Sequence, residues 1–427
     1  MKRLVFLCGI IISVSIGAYA QSINGRFTSS LYSFERFDTL NSSSTYARTY
    51  QMLNLNINQG NYSLRSYLNF ETDLSKDMKN DPLLRFYNLY FEARKIFDIA
   101  TIKIGRQPLF NSVAGGVYDG INFNVKKGDY QITGYYGGNT PAYQKLKTTN
   151  DWGNDFIYGG KFTTTALNNF QMSLSYVNKN FKVQDYYATR LDADLNPITV
   201  LIRNNSNQYK FASGEIYYDL KDELSVNTRL DYDLNFQEIS KVEFFGNYAK
   251  ISNLHLNLYY NYREPRIRYN SIFSVFDFGN TQEVEVGADY ILNKTFTITG
   301  KVGDVIYKDE TSQRATIALA TNYGSISYRK TFGYAGELDA VSVYSAYSFI
   351  DGLITPSLGL SYTTYKLSPD DPSKNNLTTL LAGCNYRPWK LLSFDLQGQF
   401  LNNKIYKDDF RLFFKINYWF NTILGLM

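Results

Sequence analysis

The chain has 427 residues, a net charge of +5, 17% aromatic residues (38 Tyr and 30 Phe), nine Pro and a mean hydropathy of −0.31. That hydropathy argues against a bundle of membrane-spanning helices, and both charge signs are spread too evenly to leave a basic patch or tail for nucleic acid. One histidine, His255, and two cysteines leave too little material for metal centres built on His and Cys clusters, for a His-based triad, or for a cofactor site of that kind.

The N-terminus reads as an export signal. Lys2 and Arg3 precede an apolar run from Leu4 to Gly17, and Ala18-Tyr19-Ala20 offers the small-x-small pattern of a cleavage site. Residues 1–20 are therefore expected to be a signal peptide, with 21–427 as one exported domain. Cys384 would then be the single cysteine, so no internal disulfide is expected.

From Ile23 to Phe420 the hydrophobic period is two. Asn54-Leu55-Asn56-Ile57-Asn58 alternates strictly, as do the segments from Leu254 to Tyr262, from Glu283 to Val286 and from Phe394 to Gln397. Such segments are strands with one apolar and one polar face. Tight turns recur at Gln59-Gly60-Asn61, Phe97-Asp98, Lys127-Gly128-Asp129, Asn168-Asn169, Lys221-Asp222-Glu223, Ser252-Asn253, Asn293-Lys294, Tyr323-Gly324, Asp351-Gly352 and Arg387-Pro388-Trp389. Longer polar connections alternate with them: Asp38–Thr45, Ser75–Leu83, Asn139–Asp155, Lys182–Asn207, Glu264–Thr281 and Ser368–Asn376.

Short turns at one end and long loops at the other predict an all-β protein, an antiparallel up-and-down transmembrane barrel of the bacterial outer membrane. The turns imply about 22 strands, within a range of about 18–22, turns on the periplasmic side. In hydrocarbon every backbone amide must be paired, so the sheet closes and its polar face turns to the lumen. Strand patterning starts too early for an N-terminal plug, so inward side chains and loops are expected to fill the space. The loops Lys182–Asn207 and Glu264–Thr281, long and carrying apolar residues, are the candidates for folding in.

Strand phase places Arg65, Glu92, Arg94, Lys103, Arg229, Asp231, Asp233, Arg263, Glu283, Glu285 and Arg329 on the polar face as pore-lining candidates. An Arg or Lys on the lipid face costs about 2–4 kcal/mol at the midplane. Asp231, Asp233, Glu283 and Glu285 suggest acidic stretches, and Arg65, Arg94 and Lys103 a basic wall; mutual pairing of these charges is the competing reading.

Ile104-Gly105-Arg106-Gln107, followed by Tyr118-Asp119-Gly120-Ile121, resembles a motif pair of outer-membrane porins, notably the general and alginate-export-type porins. There a strand ending in Gly-Arg-Gln leads through a short loop to Asp-Gly opening the next strand. The resemblance implies a passive channel for anionic or sugar-like solutes. The residues themselves suggest that Gly105 and Gly120 permit tight backbone geometry, and that Arg106 reaches Asp119 as a structural clasp, with Gln107 in the same motif.

The expected function is passive diffusion of small polar or charged solutes, with outer-membrane lipids as surroundings and no enzymatic activity. A scaffold sheathing a partner protein such as an electron-transfer cytochrome is the alternative, followed by a barrel enzyme. An oligomer of this chain or a periplasmic partner stays open.

Overall fold

The computed structural model describes residues 21–424 apart from 40–41, 76–82, 110–112, 183–184, 204–206, 222, 268, 270–274, 276–277, 309, 335, 368–371 and 405–407. The expected signal peptide lies outside the described residues.

Strand follows strand. The first nine are β1 (Gln21–Thr39), β2 (Ser42–Gln59), β3 (Tyr62–Asp73), β4 (Leu83–Ile96), β5 (Ala100–Leu109), β6 (Gly116–Lys127), β7 (Tyr130–Asn139), β8 (Phe156–Thr164) and β9 (Phe170–Phe181). A separate hairpin, β10 (Tyr186–Leu191) and β11 (Pro197–Ile202), forms its own two-stranded sheet. The wall resumes with β12 (Asn207–Leu220), β13 (Leu224–Asp233), β14 (Glu238–Ile251), β15 (Leu254–Arg263), β16 (Thr281–Ile291), β17 (Phe296–Tyr307) and β18 (Glu310–Thr321). It ends with β19 (Gly324–Gly333), β20 (Leu338–Ala346), β21 (Ile354–Tyr365), β22 (Asn375–Trp389), β23 (Leu392–Asn403) and β24 (Asp409–Leu424).

Twenty-two of these strands form one antiparallel sheet, and β1 pairs with β24 from Gln21↔Leu424 to Ser33↔Leu412, closing it into a barrel. Closure removes the unpaired edges that a sheet of this length would otherwise present. Both strand ends Gln21 and Leu424 lie at the tight-turn end. Gly60 and Gly128, at φ 56° and 57°, supply the left-handed geometry that two-residue hairpin turns require there.

Alternation splits the wall into two faces. Ile104, Ile121, Val286, Val302, Ile317, Leu358 and Leu396 are exposed on one phase, and this apolar phase faces outward toward lipid. The opposite phase carries Asn54, Asn56, Lys103, Arg229, Glu285 and Lys415 and faces the lumen.

Three connections differ from the sequence reading. Asp38–Thr45 is not an open loop: β1 reaches Thr39 and β2 starts at Ser42, because the pairing continues through Arg36↔Ser44 and Phe37↔Ser43. The Arg387-Pro388-Trp389 turn falls later, at Lys390-Leu391, with a pairing irregularity between Tyr386 and Trp389 accommodating the proline. Lys182–Asn207 carries the β10–β11 hairpin, whose side chains are mostly exposed. A turn at Leu234–Gln237 joins β13 to β14.

Candidate functional site

On the inner face the charges are gathered into clusters that bridge neighbouring strands. Glu92 on β4 meets three cations: Arg65 at 3.5 Å, Arg94 at 3.5 Å and Lys103 at 3.8 Å. The carboxylate is buried while the cations keep partial access to the lumen. The basic wall expected from Arg65, Arg94 and Lys103 thus has a carboxylate at its centre and a local excess of positive charge. Toward the loop end of the same strands, Arg48 meets Asp73 at 3.2 Å, and Arg85 meets Glu71 at 3.1 Å.

The acidic candidates are similarly engaged. Glu215 bridges Lys161 and Arg229, and Arg229 also holds Asp231 at 2.8 Å. Asp233 sits at the end of β13, where its carboxylate accepts the backbone N–H groups of Asn235 and Phe236 and so shapes the following turn. Glu283 and Glu285, two apart on β16, both meet Arg314 of β18, and Lys301 approaches Glu285 at 3.5 Å. Arg263 and Arg329 have no ion-pair partner among the described residues. The lumen wall is consequently polar and charged without forming a bare acidic strip.

An inward loop narrows the loop end. Val113, between β5 and β6, packs into an apolar cluster with Tyr118, Ile157, Val177 and Phe211, all on the inner phase of β6, β8, β9 and β12. Lys179 donates from Nζ to the Ala114 and Gly115 carbonyls at 3.3 and 3.1 Å, and Arg266 donates to the Val113 carbonyl at 3.0 Å. The element that folds in is therefore the short 113–115 segment. Of the two loops expected there, 264–281 contributes Arg266, and 182–207 projects its own hairpin. Nothing in the sequence singled out Val113, Lys179 or Arg266, which are brought together across 64 to 153 residues.

The porin-like motif lies within paired strands rather than beside a turn. Gly105 faces Gly120, Arg106 faces Asp119, and Gln107 faces Tyr118. Gly105 has a φ of 123°, and a β-carbon on Gly120 would run into the Tyr136 carbonyl. The inner-phase Gln107 donates to the Gly120 carbonyl at 3.1 Å. Arg106 shares its phase with Ile104, and Asp119 shares its phase with Ile121; both isoleucines are about half exposed on the outer face (52% and 51%). The pair is therefore on the outward side, yet Arg106 and Asp119 are only 3% and 7% exposed.

Loop 140–155 accounts for this burial. Arg106 donates Nε and Nη2 to the two Asp119 carboxylate oxygens, both at 2.7 Å. Its Nη1 donates to the carbonyls of Gln144 and Lys145 at 2.8 Å and of Phe86 at 3.3 Å, and Nη2 also reaches Lys147 O at 3.3 Å. The loop is pinned over the outer wall, where Trp152 stacks on Tyr136 with ring centroids 5.9 Å apart.

No protein-family model and no curated protein matches the chain. Among solved structures it is similar to the usher PapC of an E. coli P pilus tip assembly intermediate, with a TM-score of 0.56 and 8% identity over 96% of this chain and 61% of that one. The PapC translocation pore aligns over 93% of this chain and 99% of its own, with a TM-score of 0.49 and 10% identity. OpdQ of Pseudomonas aeruginosa aligns over 95% and 100%, with a TM-score of 0.42 and 11% identity. At these identities the likeness is one of fold, that of a closed outer-membrane barrel.

Proposed function

We propose that this chain is an outer-membrane channel through which small polar or charged solutes diffuse passively, a porin-like role. The observation that carries the reading is the construction of the lumen: a closed wall most of whose inward charges are paired, narrowed at one end by the docked 113–115 segment. A closed barrel in lipid turns its polar face inward, and about 22 strands enclose more space than side chains alone fill. Paired charges hold the wall hydrated while exerting little net field, so weak charge selectivity follows. An inward loop suits exclusion of large solutes better than the sheathing of a folded partner.

Liposome swelling tests the proposal. Vesicles containing the refolded protein should swell at rates that fall with solute size across neutral sugars and zwitterionic amino acids. Rates equal to those of protein-free vesicles for every solute would refute it.

A further inference from the structure

Beneath loop 140–155 the outer wall carries a notch of about 640 Å³. Leu89, Ile104, Ile121, Leu146 and Trp152 form its apolar lining, and the paired Arg106 and Asp119, with Thr148 and Lys147, complete the wall. The notch faces outward, because Ile104 and Ile121 belong to the lipid-facing phase, and it runs from mid-strand, where Leu89, Ile104 and Ile121 sit, toward the loop end from which loop 140–155 covers it. Lys145 and Lys147 are exposed and have no carboxylate partner among the described residues. The nearby acid of the same loop, Asp151, is engaged by Lys182 at 2.6 Å, and Asp155 accepts a hydrogen bond from Asn139. Apolar surface toward the hydrocarbon, with two uncompensated ammonium groups on the loop above it, is the arrangement that suits an anionic amphiphile.

We infer that this notch binds a phosphorylated lipid of the leaflet at the loop end, one acyl chain lying against Leu89, Ile104 and Ile121 and the phosphate meeting Lys145 and Lys147. The Arg106–Asp119 pair forms part of the notch wall, and its two charges are spent on each other rather than on the lipid. It fixes the loop over the wall and withdraws its own charges from the hydrocarbon. Lys147 serves twice: its carbonyl accepts from Arg106 while its side chain is left at the notch edge. The inference rests on the barrel being embedded in the outer membrane and is independent of solute passage.

Native mass spectrometry of the full chain, released from detergent after mixing with a phosphorylated glycolipid, tests it. The wild type should retain one lipid, and the K145Q/K147Q double variant should bind on the order of thirtyfold more weakly, roughly the product of two lysines near an anionic surface. W152A, which opens the notch but keeps the lysines, should also lose retention. Equal retention by wild type and K145Q/K147Q would overturn the site, as would equal retention of a neutral glycolipid. Displacement by inorganic phosphate as effective as that by competing lipid would show a phosphate site alone and would also overturn the lipid assignment. A second copy of the chain cross-linked through the notch would do the same. Swelling rates of K145Q/K147Q should match the wild type, which separates failure of this site from failure of the channel reading and shows that the variant folds.

Discussion

Arg106 and Asp119 face each other directly across β5 and β6, joined by two hydrogen bonds of 2.7 Å, on the side of the wall that Ile104 and Ile121 turn toward lipid. An ion pair there is tolerated because Asp119 and the loop carbonyls occupy the guanidinium's donors. Removing one partner of a buried pair strands the other charge, at a cost of about 3–5 kcal/mol. Arg106→Met and Asp119→Leu should each lower the urea stability of the folded barrel by about that amount, and the double variant should lose less than the sum of the two. Protease cleavage within 140–155 should rise in all three. Unchanged stability in the single variants would contradict the clasp.

Glu92 holds three cations together. Glu92→Gln leaves Arg65, Arg94 and Lys103 without their shared carboxylate. One unit charge acting over about 4 Å in water is worth about 1 kcal/mol before screening, so the anion-to-cation permeability ratio should rise a few-fold. Reversal potentials across a salt gradient measure it, and the shift should shrink at high salt.

The 113–115 segment is tied from two sides. Lys179→Met combined with Arg266→Ala removes the side-chain donors to Val113, Ala114 and Gly115 while leaving the apolar cluster in place. Single-channel conductance should rise beyond the spread of the wild-type population, and larger sugars should permeate. Conductance unchanged in a folded double variant would remove this segment from the account of the constriction.

Loop 140–155 should loosen on acidification. A hydrogen bond from the Lys182 ammonium holds the Asp151 carboxyl below the usual aspartate range, and Asp151 in turn raises Lys182. A depressed carboxyl contributes stability above its unfolded pKa of about 3.9 that is lost as pH falls through the lower folded value. The raised lysine contributes stability that is fully present below about 10.4 and is lost as pH rises through its higher folded value. Amide protection in 140–155, taken relative to the intrinsic exchange rate at each pH, should therefore fall below about pH 4 and in strong alkali, and Asp151→Asn should flatten both limbs. Lys182 is exposed and Asp151 is partly so, and solvent screens the pair, so global stability should hardly change.

The barrel was legible because its physics is local. Alternation at Asn54–Asn58 or Leu254–Tyr262 fixes which side chains share a face, and turns such as Gln59-Gly60-Asn61 fix where the chain reverses. Loop direction was not legible. Length and apolar content favoured 182–207 and 264–281; the second of these does turn Arg266 inward, but onto a short segment, 113–115, that is also held by Lys179 and that neither length nor composition marks. The clasp partners were apparent from the motif, and Arg106 follows Ile102 and Ile104 at a spacing of two, which is the signal that places it outward. What the sequence did not reveal is that loop 140–155 descends over it, since backbone carbonyls that accept from a remote guanidinium leave no mark on residue type. Pairing of the inner charges likewise depends on register: Glu283 and Glu285 share Arg314 of β18, two strands away, and Glu285 also meets Lys301 of β17.

Single-channel recording in planar bilayers tests the central claim most directly. The refolded chain alone should insert and give discrete, long-lived, ohmic current steps with weak ion selectivity, and a neutral polymer small enough to enter should reduce them. A correctly folded, heat-modifiable barrel that inserts yet passes no current under any voltage would contradict a water-filled lumen and with it the passive channel.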